Sequence, residues 1–151
     1  MARNRRYPKA DREYILTQIA SLVQTGNWLT LDTETTGRSL EDQVIEVAIC
    51  EPELPDLPTR SWRIRPTIAI QEEATHVHGI RTEDLQRCPT YAECWPEIEA
   101  TINKRKNVMY NAAFDYRVLS MIARAHHMPR PYIWNGLCAM EWYAVYHGGA
   151  I

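Results

Sequence analysis

Apolar positions along the chain change period several times, and each change marks an element. Across residues 11–24, DREYILTQIASLVQ, the apolar residues Ile15, Ile19, Leu22 and Val23 keep the spacing of a helix. Asp11 is its expected N-cap, and Gly26 ends it. From 27 to 33 the period falls to two, so Leu29 and Leu31 face one side of a strand while Thr30 and Asp32 face the other. TTGRSLED turns the chain. Residues 43–50, QVIEVAIC, are near-continuously apolar, as suits a central strand. ELPDLP breaks the pattern, and RSWRIR at 60–65 alternates as a third strand. A polar segment containing EEATHVHGI follows, and Thr82 is the expected N-cap of RTEDL. The spacing then predicts a helix over 91–102, a short buried strand over 107–110 and a helix over 113–125. Phe114, Val118, Leu119 and Ile122 share one face of that second helix, which Pro129 and Pro131 close. A last strand is expected at 132–134 and a last helix at 137–146, stopped by Gly148 and Gly149. Strands interleaved with helices in this order predict an α/β fold, a mixed sheet with helices on its faces.

Charge sharpens this picture at one place. Glu34 follows Asp32 at i+2, so a strand that includes both holds two carboxylates on one face, roughly 7 Å apart along the chain. Like charges on a rigid strand repel, and partial burial raises the cost, so a cation is expected to offset them. A third acid, Asp115, sits in YNAAFDYRVL just past the strand NVMY, in the first turn of a helix. The helix dipole alone explains an acid there. If the two strands are neighbours, however, all three acids meet at one sheet edge, where ligand sites gather. Three hard oxygen ligands suit Mg²⁺ or Mn²⁺. Two such ions about 3.5–4 Å apart can activate a water and stabilise the leaving oxygen of a phosphodiester.

Composition adds limits. The 151 residues suffice for one domain with a real core, and 45% hydrophobic with 24% charged residues is ordinary for a globular protein. Residues 1–26 form an N-terminal unit, a basic segment (MARNRRYPKADR) leading into the first helix, with the main domain over 27–151. A net charge of −2 argues against coating nucleic acid by bulk charge. Cys50, Cys88, Cys94 and Cys138 show no CxxC pairing, which fits free thiols in a reducing compartment. No apolar run approaches the roughly 18 residues of a membrane span, so a cytoplasmic location is expected.

LDTETTG, then HVHGI with RTEDL, then YNAAFD resemble, in that order, the signature blocks of the DEDD 3′–5′ exonucleases. Within that superfamily they look like the DnaQ-like group, which includes the proofreading epsilon subunit of DNA polymerase III. The resemblance covers roughly residues 28–146 and implies an RNase H-like fold with two Mg²⁺ or Mn²⁺ ions. It assigns Asp32 to bridge both metals, Glu34 to bind one and help position the attacking water, and Asp115 to hold the second. It also implies substrate contacts by Thr35, His78 and Asn111, with Glu73 near the 3′-terminal sugar; Phe114 matches a motif position but is expected in the core. The implied substrate is a single-stranded DNA 3′ end releasing nucleoside monophosphates, and a polymerase subunit is an implied partner.

The match departs from the family at its last block, an H-x-x-x-x-D or Y-x-x-x-D on a later helix that supplies the fourth acid and, with His, the general base. Here His147 is followed only by GGAI, no Asp follows Tyr143 or Tyr146, and Glu141 precedes these groups. Region 27–151 is therefore expected to be an exonuclease domain incomplete at its C-terminus, lacking the last catalytic helix. Slow or absent activity is expected of such a chain, together with low stability or self-association through the uncovered sheet face. An exoribonuclease of the same family and a non-catalytic nucleic-acid-binding module are the alternative readings.

Overall fold

The structure is a computed structural model describing residues 9–52, 59–103, 105–128 and 136–148. Helix α1 (Lys9–Thr25) precedes three strands, β1 (Trp28–Thr35), β2 (Val44–Cys50) and β3 (Arg60–Arg63). The short helix α2 (Glu72–His78), a 3-10 turn (Thr82–Leu85) and helix α3 (Tyr91–Ile102) follow. Strand β4 (Lys106–Met109), helix α4 (Ala112–Ala125), strand β5 (Gly136–Cys138) and helix α5 (Ala139–His147) complete the order. The sheet runs β3-β2-β1-β4-β5, antiparallel between β1, β2 and β3 and parallel between β1, β4 and β5. It is the mixed sheet expected, and β1 is its middle strand.

Alternation along β1 puts Leu29 and Leu31 into the core and leaves Thr30 and Asp32 exposed on the other face. Leu31 lies opposite Ile49 and Asp32 opposite Ala48, so the division of faces continues into β2. Val47 and Ile49 join Leu29 and Leu31 under Trp95 and Ile98 of α3 and Leu119 and Ile122 of α4 in one core cluster. A smaller cluster, Ile45 with Ile80 and Leu85, holds the α2 segment against β2. At the far end of the sheet, Arg60 and Arg105 both pair with Glu51.

Several sequence-based expectations need correction. The segment holding EEATHVHGI is helical over Glu72–His78; no residue of this helix is buried, so it carries no apolar periodicity to read. Strand β1 extends two residues further than expected, to Thr35, and so includes Glu34. Thr82 begins the 3-10 turn but does not cap it: Arg81 holds that position, and its N–H donates to Asp84 at 2.8 Å. Asp11 lies inside the first turn of α1 rather than at its cap. Val23 is exposed, while Ile15 and Leu22 are buried. Helix α4 ends before the prolines; His127, at φ 54°, turns the chain, and its neighbour Met128 donates to the Ala123 carbonyl at 2.8 Å. Leu137 and Cys138 belong to β5, paired with Val108 and Met109, so the last helix starts at Ala139. The strand expected at 132–134, the break at ELPDLP from 53 to 58 and the basic residues 1–8 lie outside the described residues. Cys50, Cys88, Cys94 and Cys138 are all free thiols. No helix among the described residues is long and apolar enough to cross a membrane.

Candidate active site

Because β1 and β4 are parallel neighbours, their carboxyl ends lie at one edge of the sheet. Asp32 and Glu34 occupy the last turns of the β1 pleat, and β4 runs through Tyr110 and Asn111 directly into α4, which carries Asp115. Asp32 is exposed, Glu34 half-buried and Asp115 only 3% exposed. The hydroxyl of Thr33, which points into the core side of β1, donates to Asp115 Oδ1 at 2.7 Å.

The three carboxylates influence one another. Burial pushes the Asp115 carboxyl up to about 6; the Thr33 hydrogen bond opposes this, and the charge of Asp32 adds to it. Burial also raises Glu34, partly offset by His78 and reinforced by Asp32, Glu46 and Asp115. Each added negative charge therefore makes the next harder to form, which a divalent cation would relieve. The donor chemistry, all carboxylate oxygen, fits Mg²⁺ or Mn²⁺. In the present side-chain placement no three His, Cys, Asp or Glu groups among the described residues are gathered tightly enough to hold an ion. Asp115 spends one oxygen on Thr33, and Asp32 points to solvent.

Two hollows flank these acids. One, of about 440 Å³, lies between the end of β1 and α2 and is lined by Glu34, Thr35, Glu73, Val77 and His78. The other, of about 570 Å³, is lined by Asp32, Tyr110, Asn111, Asp115 and Arg117. Thr33, Arg38 and Phe114 line both, so the two hollows adjoin. All seven residues singled out from the sequence, Asp32, Glu34, Thr35, Glu73, His78, Asn111 and Asp115, line one or the other.

Their environments differ from the expected roles in two respects. Both ring nitrogens of His78 are engaged: Nδ1 accepts from the Ile80 N–H at 3.0 Å, which leaves Nε2 to donate to the Thr35 carbonyl at 3.2 Å. His78 thus ties the end of α2 to the end of β1, and a substrate would meet its ring rather than a free nitrogen. Thr35 is buried, with its hydroxyl donated to the Gly37 carbonyl at 2.6 Å, so it shapes the loop from inside. Phe114 packs on the core edge as expected, and also forms wall in both hollows.

The sequence reading missed the residues that hold the two sides of the cleft together. Asp42, 4% exposed, accepts from the Thr36 hydroxyl at 2.7 Å, the Ser39 N–H at 2.6 Å and the Gln71 amide at 3.1 and 3.2 Å. Burial alone would raise its carboxyl, but these bonds together hold it below the usual range. Gln71 is the N-cap residue of α2, and its own N–H donates to the Thr36 carbonyl at 2.8 Å. A Cβ on Gly37 would lie 2.4 Å from the Gln71 side chain, so only glycine lets that amide reach Asp42. Asp42 is one of many loop acids in the sequence, and its partner lies 29 residues away. The only hint was that TTGRSLED, a turn too long for a simple hairpin, ends on the two acids Glu41 and Asp42.

The family model described as exonuclease (RNase_T) matches residues 29–142. The uncharacterized exonuclease CP81 of Escherichia phage 186 is 30% identical over 123 residues, which is 78% of this chain and 62% of that protein. The chain therefore spans somewhat under two thirds of that relative. Crystal structures of exonuclease I superpose on it: one with the inhibitor BCBP gives a TM-score of 0.67 at 20% identity, covering 79% of this chain and 30% of that one. The E. coli enzyme with a dT13 oligonucleotide gives 0.59 at 21% identity, over 71% of this chain and 25% of that one. At these identities the superpositions show the fold, an RNase H-like mixed sheet flanked by helices. With three quarters of its length under the family model and a 30% identical exonuclease among its relatives, the chain belongs to the DEDD-type exonuclease family.

Proposed function

We propose that this chain is the catalytic portion of a metal-dependent 3′–5′ exonuclease acting on single-stranded DNA, releasing nucleoside monophosphates. What supports the reading is that Asp32, Glu34 and Asp115 line two adjoining hollows at the carboxyl edge of β1 and β4, where the charge of Asp32 opposes ionisation of both Glu34 and Asp115. Asp32, Glu34 and Asp115 would hold Mg²⁺ or Mn²⁺, which when bound lowers the pKa of a coordinated water and offsets charge on the phosphate. Glu34, half-buried beside the hollow, would orient the attacking water and accept its hydrogen bond. The hollow between Glu34, Glu73 and His78 has room for a terminal nucleotide, with the Glu73 carboxylate as hydrogen-bond acceptor for a sugar hydroxyl. The oligonucleotide complex of the similar E. coli exonuclease I supports a single-stranded substrate.

Three carboxylates are fewer than the four the family uses, and both nitrogens of His78 are occupied, which removes it as a ready base. Turnover by these residues alone is therefore proposed to be slow, since loss of a general base typically costs about 10²–10⁴-fold. The test is digestion of a 5′-labelled single-stranded oligonucleotide with Mn²⁺. A ladder that shortens from the 3′ end, with mononucleotide products and none from Asp32→Ala, supports the reading. Uncut substrate, or internal cuts, contradicts it.

A further inference from the structure

Arg38 and Arg117 are cationic residues of the cleft to which no motif gives a role. Arg38 lies in the loop after β1 and lines both hollows; Arg117, on α4, lines the hollow that contains Asp32 and Asp115. Among the described residues neither makes an ion pair, although acids line the same walls. Arg117 is held in another way. Its Nη1 donates to the Ser39 carbonyl at 3.4 Å, and its guanidinium lies 5.1 Å from the centre of the Phe114 ring. Ser39 is the neighbour of Arg38 in the chain, so this bond ties Arg117 to the loop that carries Arg38, and both arginines line the same hollow. Two like charges lining one hollow, with no ion pair among the described residues to engage their donors, suit an anion that can take several hydrogen bonds.

We propose that Arg38 and Arg117 form a two-arginine clamp for a backbone phosphate of the bound strand, with Phe114 and the Ser39 carbonyl fixing the Arg117 arm. This rests on the nucleic-acid reading of the cleft. It also explains how a chain of net charge −2, with three acids at its site, attracts a polyanion: the positive charge is local. A guanidinium fork takes two phosphate oxygens where a lysine would take one, so charge and shape are separable.

The experiment uses the whole chain and a 5′-fluorescein dT12 oligonucleotide in Ca²⁺ or EDTA, read by anisotropy across a salt series. Arg38→Gln, on an exposed loop residue, and Arg117→Gln are each expected to weaken binding about fivefold near 0.1 M salt and to flatten the log–log salt slope by about 0.7. Arg117→Lys is expected to keep the slope and lose affinity, since it keeps charge but not the fork. Mn²⁺-dependent cleavage by the wild type is followed in parallel. If cleavage occurs and both Gln variants bind with wild-type affinity and slope, the clamp is wrong and the nuclease reading stands. If cleavage is absent while the arginine dependence persists, the clamp stands and the nuclease reading falls. No binding by the wild type at low salt overturns the clamp as well.

Discussion

The Thr33 hydroxyl reaches across 82 residues of sequence to donate to Asp115 Oδ1 at 2.7 Å. It is a buried side-chain link between the middle strand and the helix that bring the acids together, and it opposes the rise that burial imposes on Asp115. Thr33→Val keeps the shape and removes the donor. The variant is expected to lose about 1–3 kcal/mol of stability near neutral pH, where Asp115 is charged and left without its donor. Thermal melting at pH 5 and pH 8 checks this: the loss is expected to be larger at pH 8, and equal losses at both would contradict it.

Asp115 itself is a source of instability at neutral pH. Its carboxyl is held at about 6 in the folded chain against an ordinary 3.8. Between those values the folded state keeps a proton that the unfolded state has lost, so this group makes stability fall as pH rises from about 4 to about 6. Asp115→Asn removes that dependence. Without metal, the variant is expected to be more stable than the wild type at pH 7.5, on the order of 1–3 kcal/mol, with the gap closing toward pH 4. Denaturant melts in EDTA across that range measure the difference. A variant less stable than wild type at pH 7.5 would show that Asp115 serves its helix more than it strains the site.

Gly37 is required by Gln71 rather than by its own backbone. Gly37→Ala places a methyl 2.4 Å from the Gln71 amide, which must then leave Asp42. The expected cost is about 1–3 kcal/mol, with amide exchange quickening in Glu72–His78 while β1 and β2 keep their protection. A double-mutant cycle decides the cause. Once Gln71 is replaced by Ala, Gly37→Ala should cost much less, whereas full additivity would mean that the glycine matters for another reason.

How much of this was legible in the sequence depended on the range of each interaction. Leu29, Leu31 and Asp32 declared their faces through local alternation, and the sheet confirms them. The Thr90–Cys94 start of α3 was equally local: Glu93 accepts from the Thr90 N–H at 2.7 Å, and the helix has the bounds that its apolar spacing predicts. Helix α2 was hidden because its seven residues bury none of their side chains; it is held by Gln71, His78 and the Ile80–Leu85 contact instead. Leu137 and Cys138 read as helix because three residues are too few to show a strand period, and pairing with β4 decides their state. Asp115 had a sufficient local explanation as a helix-start acid. Its burial and its bond to Thr33 exist only after residues 82 apart meet.

Asp32, Glu34 and Asp115 are proposed to hold Mg²⁺ or Mn²⁺ between them. The most direct test is the melting temperature of the wild type, Asp32→Asn and Asp115→Asn during Mn²⁺ titration at pH 7.5, from an EDTA-treated start. A saturable rise in the wild type, lost or shifted to much higher Mn²⁺ in both variants, is the predicted result. A rise of the same size and midpoint in all three proteins, or no rise in the wild type, would contradict it.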